Sequence, residues 1–548
     1  MTDLTLALDD RINVSAEATK VVRISGVQNN FFEINPEGSG FTSNIIFQNV
    51  ITPSLSNTVV SRNMRIRYKL KVSATATPPI LNPGAALAGV GSAMALRAYP
   101  LASISTNVLL QINGASTSVP SRFIMSATQR TIPADYTKKE ATEAPSMADN
   151  AACLAVDTLT DALTCQQPLS AYMNSDGTTR ASFYPIQFDD AGHAVYYEVS
   201  EPIMVSPLSL HSEENFIANL NTLSIQFQYG SLLDMVVMGK AAAAPAGLAV
   251  EISEPHLELT YIQVANDVVA IPRMVQYSYE TPVFFSKTAG VLAHTNAITT
   301  GLQVQTDTVR LQSMPSRIYF FVRPQINQRT PAQADAFLSL AGSANGLPSL
   351  TVNIGNRTGL LASASAKTLY RMSVRNGYRG TWAEWAYGQG SLIIIDPVED
   401  LGVNIPAGDI LPGEAGSVNF SIQANFSNVN YVYSTAQAGG ADLAGLALES
   451  VLVCVYSGVC SITPDNCVFN IGDLSEAEVM ALLKTAPKEG SMVSSEVIKP
   501  TVQGAGLFSK VKSILGHTAR GLQAVASHPM TQMLAKGRGL RAGVLTTA

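Results

Sequence analysis

Short apolar runs, separated by clusters of Gly, Asn and Pro, recur through most of the chain and predict β-strands. The pattern is clearest between residues 314 and 428, where four runs predict strands at Ile318–Val322, Leu350–Ile354, Leu392–Ile395 and Val418–Ala424. Runs of this length, rich in β-branched and aromatic residues and bounded by turn residues, are typical of an all-β sandwich. One helix is predicted among them, over Thr358–Val374, because apolar residues recur there at loosely helical spacing.

The strand predicted over Arg62–Ser73 has the most regular alternation in the sequence. Five apolar residues alternate with Arg65, Arg67, Lys69 and Lys71, so one face of the strand is apolar and the other is basic. Two interpretations of the basic face stay open: it is solvated, or it faces an anionic partner such as a genome. A solvated face would tolerate exchange of all four basic residues for Gln, since exposed charges contribute little to stability.

The same kind of pattern predicts further strands in both halves of the chain. They lie at Leu96–Asn113 (two strand-like pieces), Tyr196–Ser200, Leu220–Tyr229, Leu248–Ile252, His256–Val264, Met274–Phe285, Gly301–Leu311 and Leu446–Ser457. Asn113-Gly114 predicts the tight turn of a hairpin. Because the strand pattern restarts near residues 267–273, we place a boundary between two sandwiches there. The predicted organisation is an arm and first strand (1–45), a first sandwich (46–270) with a long surface loop (114–195), a second sandwich (271–475), a short helix and linker (476–505) and a basic tail (506–548).

Length and composition indicate a large protein that associates with other subunits. At 548 residues the chain is too long for one core, and two or three domains are expected. Charged residues make up 14 % of the sequence, against a typical value of about 25 %. Because a monomer with so few charges would expose a large uncharged surface, we expect other subunits to cover part of it.

The charges are unevenly distributed along the chain. The net charge is −6, which does not favour nucleic-acid binding by the body of the protein, and no Asp or Glu follows Glu496. After a linker rich in Pro, Gly and Ser (485–505), apolar residues fall on one stripe of a predicted basic amphipathic helix. The residues of this helix that we expect to make contacts are Leu507, Phe508, Lys510, Val511, Lys512, Ile514 and Leu515. Such a helix lies in a membrane interface or docks on a partner; packing on its own domain is the alternative.

No residue pattern in the sequence predicts catalysis, a cofactor or a metal. The spacing of the cysteines does not match a zinc site, so we expect buried thiols in a reducing compartment. The five are Cys153, Cys165, Cys454, Cys460 and Cys467. The six histidines lack metal or triad spacing, and the adjacent acids Asp189-Asp190, Glu213-Glu214 and Glu399-Asp400 are predicted to be solvated turn residues. The N-terminus lacks signal-peptide features and the sequence lacks a long apolar span, so we expect cytosolic synthesis and no membrane-spanning segment.

Seven segments of the chain carry a family resemblance. They are YPLASISTNVLLQING (Tyr99–Gly114), SEPIMVSPL (Ser200–Leu208), NFIANLNTLSIQFQYG (Asn215–Gly230), MPSRIYFFVRP (Met314–Pro324), LYRMSVRNG (Leu369–Gly377), IIDPVEDLG (394–402) and LPGEAGSVNFSIQANFSN (411–428). Together they resemble the double jelly-roll major capsid proteins, the lineage of adenovirus hexons, virophages and polinton-like viruses, over roughly residues 45–475. Single jelly-roll capsid proteins of RNA viruses share part of this pattern, which leaves the genome type open.

The resemblance implies a structural protein of a virion. In such a family two eight-stranded jelly rolls lie side by side, three subunits form a capsomer of pseudo-hexagonal outline, and many capsomers build an icosahedral shell. The implied partners are other copies of the chain, neighbouring capsomers, and penton or minor capsid proteins, and segment 114–195 would lie in an outward-facing tower. We expect synthesis in the host cytoplasm, assembly there or in the nucleus, and weak or no sequence-specific nucleic-acid binding.

The tail carries a second resemblance. Val502, Gly504, Ala505 and Gly506 are similar to the hydrophobic-x-Gly-x-Gly sites that adenovirus-type maturation proteases cut, although Val replaces the usual Leu, Ile or Met. The following GLFSKVKSIL is similar to the amphipathic segment that adenovirus-type virions release to disrupt membranes. The resemblance implies a viral protease and a membrane as partners of the tail, and a helix that stays attached and docks on a protein is the alternative.

A cellular β-sandwich binding module of the lectin type is the competing hypothesis. Lectins are usually secreted or carry clustered exposed aromatic residues, whereas this chain has two tryptophans, Trp382 and Trp385. The sequence therefore favours an all-β capsid protein built from two tandem jelly-roll β-sandwiches, with short connecting helices and a C-terminal amphipathic helical tail.

Overall fold

Antiparallel sheets dominate the fold, and the helices between them are short. The computed structural model describes residues 6–8, 22–24, 30–38, 40–50, 58–74, 94–133, 140, 143–146, 187–188, 194–208, 216–238, 247–263, 274–291, 302–311, 313–328, 337–340, 349–387, 389–403, 418–426 and 447–471. The predicted cleavage sequence and the predicted tail helix, Val502 to Leu515, lie outside the described residues. In the described part of the chain, none of the helices has the length and apolar character needed to cross a membrane.

The first half of the chain contributes fifteen strands to the described residues. They are β1 (Leu6–Leu8), β2 (Val22–Ile24), β3 (Asn30–Ile34), β4 (Asn44–Val50), β5 (Thr58–Ser61), β6 (Arg65–Ser73), β7 (Met94–Leu96), β8 (Ser105–Ile112), β9 (Ala115–Val119), β10 (Gln187–Phe188), β11 (Ala194–Pro202), β12 (Phe216–Ile217), β13 (Leu223–Tyr229), β14 (Val236–Met238) and β15 (Ala249–Gln263). A seven-stranded sheet has the order β10-β11-β6-β15-β5-β12, with β3 also paired to β15, and a four-stranded sheet has the order β4-β13-β8-β9. Two ribbons, β1-β2 and β14-β7, and the helices α1 (Pro100–Ile104) and α2 (Ser121–Gln129) complete this half.

The second half repeats the arrangement with two five-stranded sheets. Its strands are β16 (Val275–Val291), β17 (Leu302–Gln305), β18 (Val309–Leu311), β19 (Arg317–Pro324), β20 (Ser349–Ile354), β21 (Arg357–Leu360), β22 (Ile393–Ile395), β23 (Val418–Phe426), β24 (Ala447–Ile462) and β25 (Cys467–Ile471). One sheet has the order β16-β24-β19-β22 with β25 on β24, and the other has the order β17-β23-β20-β21 with β18 on β23. The helices are α3 (Ala366–Arg375) and α4 (Trp382–Tyr387).

Each half pairs its strands only within itself, as far as the described residues extend. We call the sheets of residues 30–263 the first sandwich and those of residues 275–471 the second sandwich. Their buried apolar side chains nevertheless form one continuous cluster. The two sandwiches therefore share a packed contact, and the exact domain limits given above stay predictions.

The alternating strand and the hairpin turn are confirmed. In β6 the side chains alternate between buried and half-buried along the whole strand, with Ile66, Tyr68, Leu70 and Val72 at most 1 % exposed. Between β8 and β9, Asn113 and the glycine after it have φ values of 43° and 88°. Such positive φ values at both central positions belong to a type I′ turn, which Asn-Gly favours.

The helix predicted over Thr358–Val374 is wrong in its first half. Residues Arg357–Leu360 form β21, which pairs with β20, and Gly359 adopts a left-handed φ of 76°. The helix α3 starts only after Ser365, whose hydroxyl accepts a backbone N–H at 3.2 Å as its N-cap. The apolar residues of β21 and of the turn after it happen to continue the helical spacing. The left-handed Gly359 and the N-cap Ser365 decide where the helix begins.

Other predicted strands changed in extent. Leu248–Ile252 and His256–Val264 are parts of one strand, β15, with a register irregularity next to Glu254, whose φ is 49°. The first strand-like piece of Leu96–Asn113 is mostly the helix α1. The helix α2 was not predicted, because three of the four apolar residues in its sequence SRFIMSATQ are consecutive and its first turn has no acidic residue.

Candidate functional site

The helix α2 of the first sandwich contacts the second sandwich through polar residues four positions apart. Arg122 donates from Nη2 to Asp234 Oδ2 and to the carbonyl oxygen of Ile326, both at 2.9 Å. Ser126, one turn later, accepts at Oγ a hydrogen bond of 3.0 Å from Arg323 Nη1 on β19. Because residues at i and i+4 lie on one face of a helix, this face of α2 is committed to the second sandwich.

Arg130, immediately after α2, continues the same face. Its Nη2 donates to the carbonyl oxygen of Gln389 at 2.9 Å, and its guanidinium lies 3.9 Å from the centre of the Phe337 ring. Its own carbonyl oxygen accepts a hydrogen bond of 3.0 Å from the backbone N–H of Arg379. The aromatic pair Phe123 and Phe284, with ring centres 4.7 Å apart, adds an apolar contact beside these bonds.

An ion pair supports this contact from within the second sandwich. Arg323 Nε lies 2.8 Å from Glu449 Oε1, and the two side chains are 4 % and 8 % exposed. They occupy directly opposite register positions of β19 and β24. The ion pair holds the Arg323 guanidinium where it can donate to Ser126. The register between β19 and β24 therefore positions this contact with the first sandwich.

A second contact between the sandwiches lies at the β8–β9 turn. Asn113 Nδ2 donates to Asn219 O of its own sandwich and to Thr463 O of the second, both at 2.7 Å. Its Oδ1 accepts from the backbone N–H groups of Asn221 and Thr222 at 2.9 and 3.0 Å. The same Asn that the turn requires thus links two loops of its own sandwich to the loop between β24 and β25.

Two tyrosines of β16 extend this second contact. The hydroxyl of Tyr277 accepts from the backbone N–H of Ala218 at 2.8 Å, and the hydroxyls of Tyr279 and Thr117 lie 2.6 Å apart. Burial raises the pKa of Tyr277. We call these two regions, around α2 and around Asn113, the junction.

The basic face of β6 is paired with carboxylates of its own chain. Because β6 lies between β11 and β15, each basic residue faces acidic residues from neighbouring elements. The contacts are Arg65 with Glu140 and Glu143, Arg67 with Glu33, Glu198 and Glu258, Lys69 with Glu254, and Lys71 with Glu251. Four basic groups meet seven carboxylates, so the face as a whole is acidic in the described part of the chain. An anionic partner is therefore the wrong interpretation of this face.

Arg65 also differs from the solvated group that the sequence suggested. Its side chain is 14 % exposed, and two of its nitrogens bind the carboxylate of Glu140, itself 8 % exposed, at 2.9 Å each. It donates further to the hydroxyl and carbonyl oxygens of Ser200 at 2.9 and 2.7 Å. Lys69 and Lys71, by contrast, are 41 % and 32 % exposed.

A buried carboxylate anchors α1 to the seven-stranded sheet. Glu201 accepts hydrogen bonds from the backbone N–H groups of Leu101 and Ala102 at 2.8 and 3.1 Å and from the hydroxyl of Tyr68. Burial raises the pKa of Glu201, against the opposing effect of these donors. Every oxygen of the carboxylate is used in holding a helix start, which is a structural role.

The groups considered for chemistry do not converge. Among the described residues, no three metal-ligating side chains come together. His256 contacts Asn35 through Nδ1 at 2.8 Å. Asp400 was predicted to be solvated, but its side chain is only 3 % exposed. Its carboxylate accepts hydrogen bonds from the side-chain amide of Asn376 and from the backbone N–H of Asp396.

Solved structures share the fold over nearly the whole chain. The cryo-EM structure of the Sputnik virophage contains a chain that superposes with a TM-score of 0.65 at 20 % identity, covering 89 % of this chain and 97 % of that one. The crystal structure of the mavirus major capsid protein superposes with a TM-score of 0.58 at 14 % identity, covering 84 % and 93 %.

Sequence comparisons match both halves. Residues 3–191 match the family model described as Sputnik virophage major capsid protein 1st domain, and residues 285–389 match the model described as Major capsid protein V20 C-terminal domain. The chain belongs to the family of double jelly-roll major capsid proteins. The capsid protein is also 24 % identical to capsid protein V20 of the Sputnik virophage, over 93 % of this chain and 85 % of that protein. It is therefore a structural component of an icosahedral viral shell, as the resemblance implied, and the lectin hypothesis is set aside.

The sequence did not predict the junction. The polar residues of α2 do carry a signal, since Arg122, Ser126 and Arg130 recur at a spacing of four. That spacing predicts a shared face but not what the face contacts.

Proposed function

We propose that the capsid protein assembles as a homotrimer of pseudo-hexagonal outline and that its role is structural rather than catalytic. The observation that carries this proposal is the junction. It fastens two sandwiches of similar architecture into one subunit, so that three subunits present six comparable lobes. The low fraction of charged residues, 14 %, supports extensive contact between such subunits.

The trimer predicts a definite mass in solution. Purified full-length protein at micromolar concentration should sediment as three chains, because large apolar contacts hold obligate oligomers together. Analytical ultracentrifugation gives the mass, and negative-stain images should show particles with a hexagonal outline. A stable monomer over the same concentration range would contradict the trimer while leaving the family and the fold untouched.

Further partners follow from the same proposal. Trimers would contact neighbouring trimers in the shell and, at its vertices, penton or minor capsid proteins. The acidic face around β6 suits a solvated or cation-rich neighbour rather than packaged nucleic acid. We place synthesis in the host cytoplasm, with assembly there or in the nucleus.

The tail has a separate proposed role. The last acidic residue of the sequence, Glu496, precedes the tail, and the apolar stripe of the tail from Leu507 to Leu515 would be covered by the inner surface of the shell or by an internal membrane. A viral maturation protease would cut between Ala505 and Gly506 and free the helix. The motif in the sequence and its position after a linker support this role.

A synthetic peptide covering residues 506–527 tests the membrane part of that role. It should become helical on vesicles rich in anionic lipid and release their contents, because each lysine near such a surface contributes roughly 1 kcal/mol and the apolar side chains add to binding. Circular dichroism and dye release measure the two effects, with a Phe508→Glu peptide as control. A peptide that stays unstructured would leave the helix as a docking element, and mature particles with chains ending at Ala548 would remove the cleavage step.

A further inference from the structure

Two cysteines lie in contact across the β24–β25 hairpin. Cys460 on β24 and Cys467 on β25 have their sulfur atoms 3.6 Å apart, and the residues are 0 % and 3 % exposed. Both are free thiols in the structure. In the register, Cys467 lies opposite Ile462 and Cys460 lies opposite Phe469, so the two cysteines occupy diagonal positions on one face of the sheet.

We propose that Cys460 and Cys467 are a modification site, at which exchange with a small disulfide such as glutathione disulfide forms an intrachain bond. A disulfide has a sulfur–sulfur distance of about 2.05 Å. The sulfurs must approach by roughly 1.5 Å from their present contact, a movement that two side-chain rotations on adjacent strands can share. The sequence predicts buried thiols in a reducing compartment at both positions.

The exchange proceeds in two balanced steps. A thiolate of the chain attacks one sulfur of glutathione disulfide, forming a mixed disulfide and releasing one glutathione thiolate. The second cysteine, after losing its proton to water, attacks the chain sulfur of the mixed disulfide and releases the second glutathione thiolate. Two cysteine thiols are oxidised, and one glutathione disulfide is reduced to two glutathione molecules.

The surroundings indicate which sulfur attacks first. A hydrogen bond from the Cys460 thiol lowers the pKa of Cys467, whereas the same bond and burial raise the pKa of Cys460. Cys467 also lies on β25, a strand of five residues paired to β24 on one side in the described part. A short strand with one partner opens locally more readily than a central strand, which gives a small oxidant access to this sulfur.

The bond would brace the junction. The two cysteines bracket the turn of residues 463–466, whose Thr463 carbonyl accepts the 2.7 Å hydrogen bond from Asn113 of the first sandwich. The carbonyl of Pro464 accepts another from Asn221. Beyond the turn, Phe469 packs on Tyr279 with ring centres 5.0 Å apart. In a reducing compartment the two cysteines stay as thiols and the turn has no covalent link. In an oxidising medium the disulfide joins the two ends of the turn.

Peptide mapping of the full-length protein tests the proposal directly. The folded protein is incubated with excess glutathione disulfide, blocked with N-ethylmaleimide in denaturant, and digested with a protease that cuts before Asp. The cut before Asp465 leaves Cys467 in the peptide Asp465–Gly472, and leaves Cys454 and Cys460 together in the preceding peptide, Asp442–Pro464, so the variants below decide between these two. We expect these two peptides to be linked, with a mass two hydrogens below their sum, and to separate on reduction.

Variants make the assignment specific. Cys460→Ala and Cys467→Ala should each abolish the linked pair. Cys454→Ala should leave it intact, because Cys454 lies opposite Val283 and Ile318, outside the stretch of β24 that pairs with β25. The oxidised protein should also unfold at a temperature several degrees above the reduced protein, and this difference should vanish in Cys467→Ala.

Two results would overturn the proposal. One is that both sulfurs carry N-ethylmaleimide after the oxidation, which means that they never paired. The other is a stable glutathione adduct on Cys467 with Cys460 still a thiol, which means that the second step does not occur. Neither result depends on whether the capsid protein is a trimer.

Discussion

Replacing Arg323 by Met should lower the unfolding midpoint of the capsid protein by on the order of 10 °C. Glu449, 8 % exposed, would lose the guanidinium that lies 2.8 Å from it and remain as a buried charge. Removing one partner of a buried ion pair typically costs about 3–5 kcal/mol, and each kcal/mol shifts the midpoint of a sandwich of this size by roughly 2–4 °C. Differential scanning calorimetry of the full-length protein measures the shift.

Three further variants identify the cause of that loss. Arg323→Met combined with Glu449→Leu should recover most of the midpoint, because two apolar residues replace the pair without leaving a charge. Ser126→Ala removes the 3.0 Å contact across the junction while keeping the pair, and should cost about 1 kcal/mol. Lys287→Met breaks an exposed pair with Asp307 in the same sandwich and should change the midpoint little. If the double variant is as unstable as Arg323→Met, the buried charge is not the reason.

Exchange of Arg65 for Gln should reduce the free energy of unfolding by about 2–4 kcal/mol, whereas exchange of Lys71 for Gln should change it by less than about 0.5 kcal/mol. The two residues lie on the same face of the same strand, but Arg65 is 14 % exposed and holds the buried Glu140, while Lys71 is 32 % exposed. Chemical denaturation of the two variants measures the difference.

The comparison between Arg65 and Lys71 separates two views of the basic face. Equal, small effects would restore the solvated face that the alternation suggested. A second test is Glu140→Gln, which should destabilise the protein nearly as much as Arg65→Gln, since it removes the same bidentate contact from the other side. Arg65→Lys should recover only part of the loss, because an ammonium group cannot make the paired contact.

The variants at Arg323 and Ser126 change contacts of the junction. Arg323 on β19, Ser126 on α2 and Asn113 in the β8–β9 turn each contact the other sandwich. A subunit that must keep two lobes in a fixed relation needs such contacts, because strand pairing stays within each sandwich in the described residues. Stability of the junction and accuracy of capsid assembly should therefore change together in these variants.

The sequence by itself determined the features that depend on neighbours along the chain. The alternation in β6 sets which of its residues are buried, because successive side chains of a strand point to opposite faces. Asn113-Gly114 determines a type I′ turn, because few other residues adopt two consecutive positive φ values. Short runs between turn residues were enough to indicate two β-sandwiches, and the segment motifs were enough to indicate the capsid family.

The tertiary structure decided everything that depends on which strands become neighbours. Arg65 meets Glu140, 75 positions away, and Cys460 meets Cys467 only because β25 pairs with β24 in one register. The helix predicted from Thr358 gave way to β21 because β20 offered backbone partners that an isolated helix start lacks. Contacts of this kind depend on how distant segments pack against each other. The spacing of residues within one segment does not determine that packing.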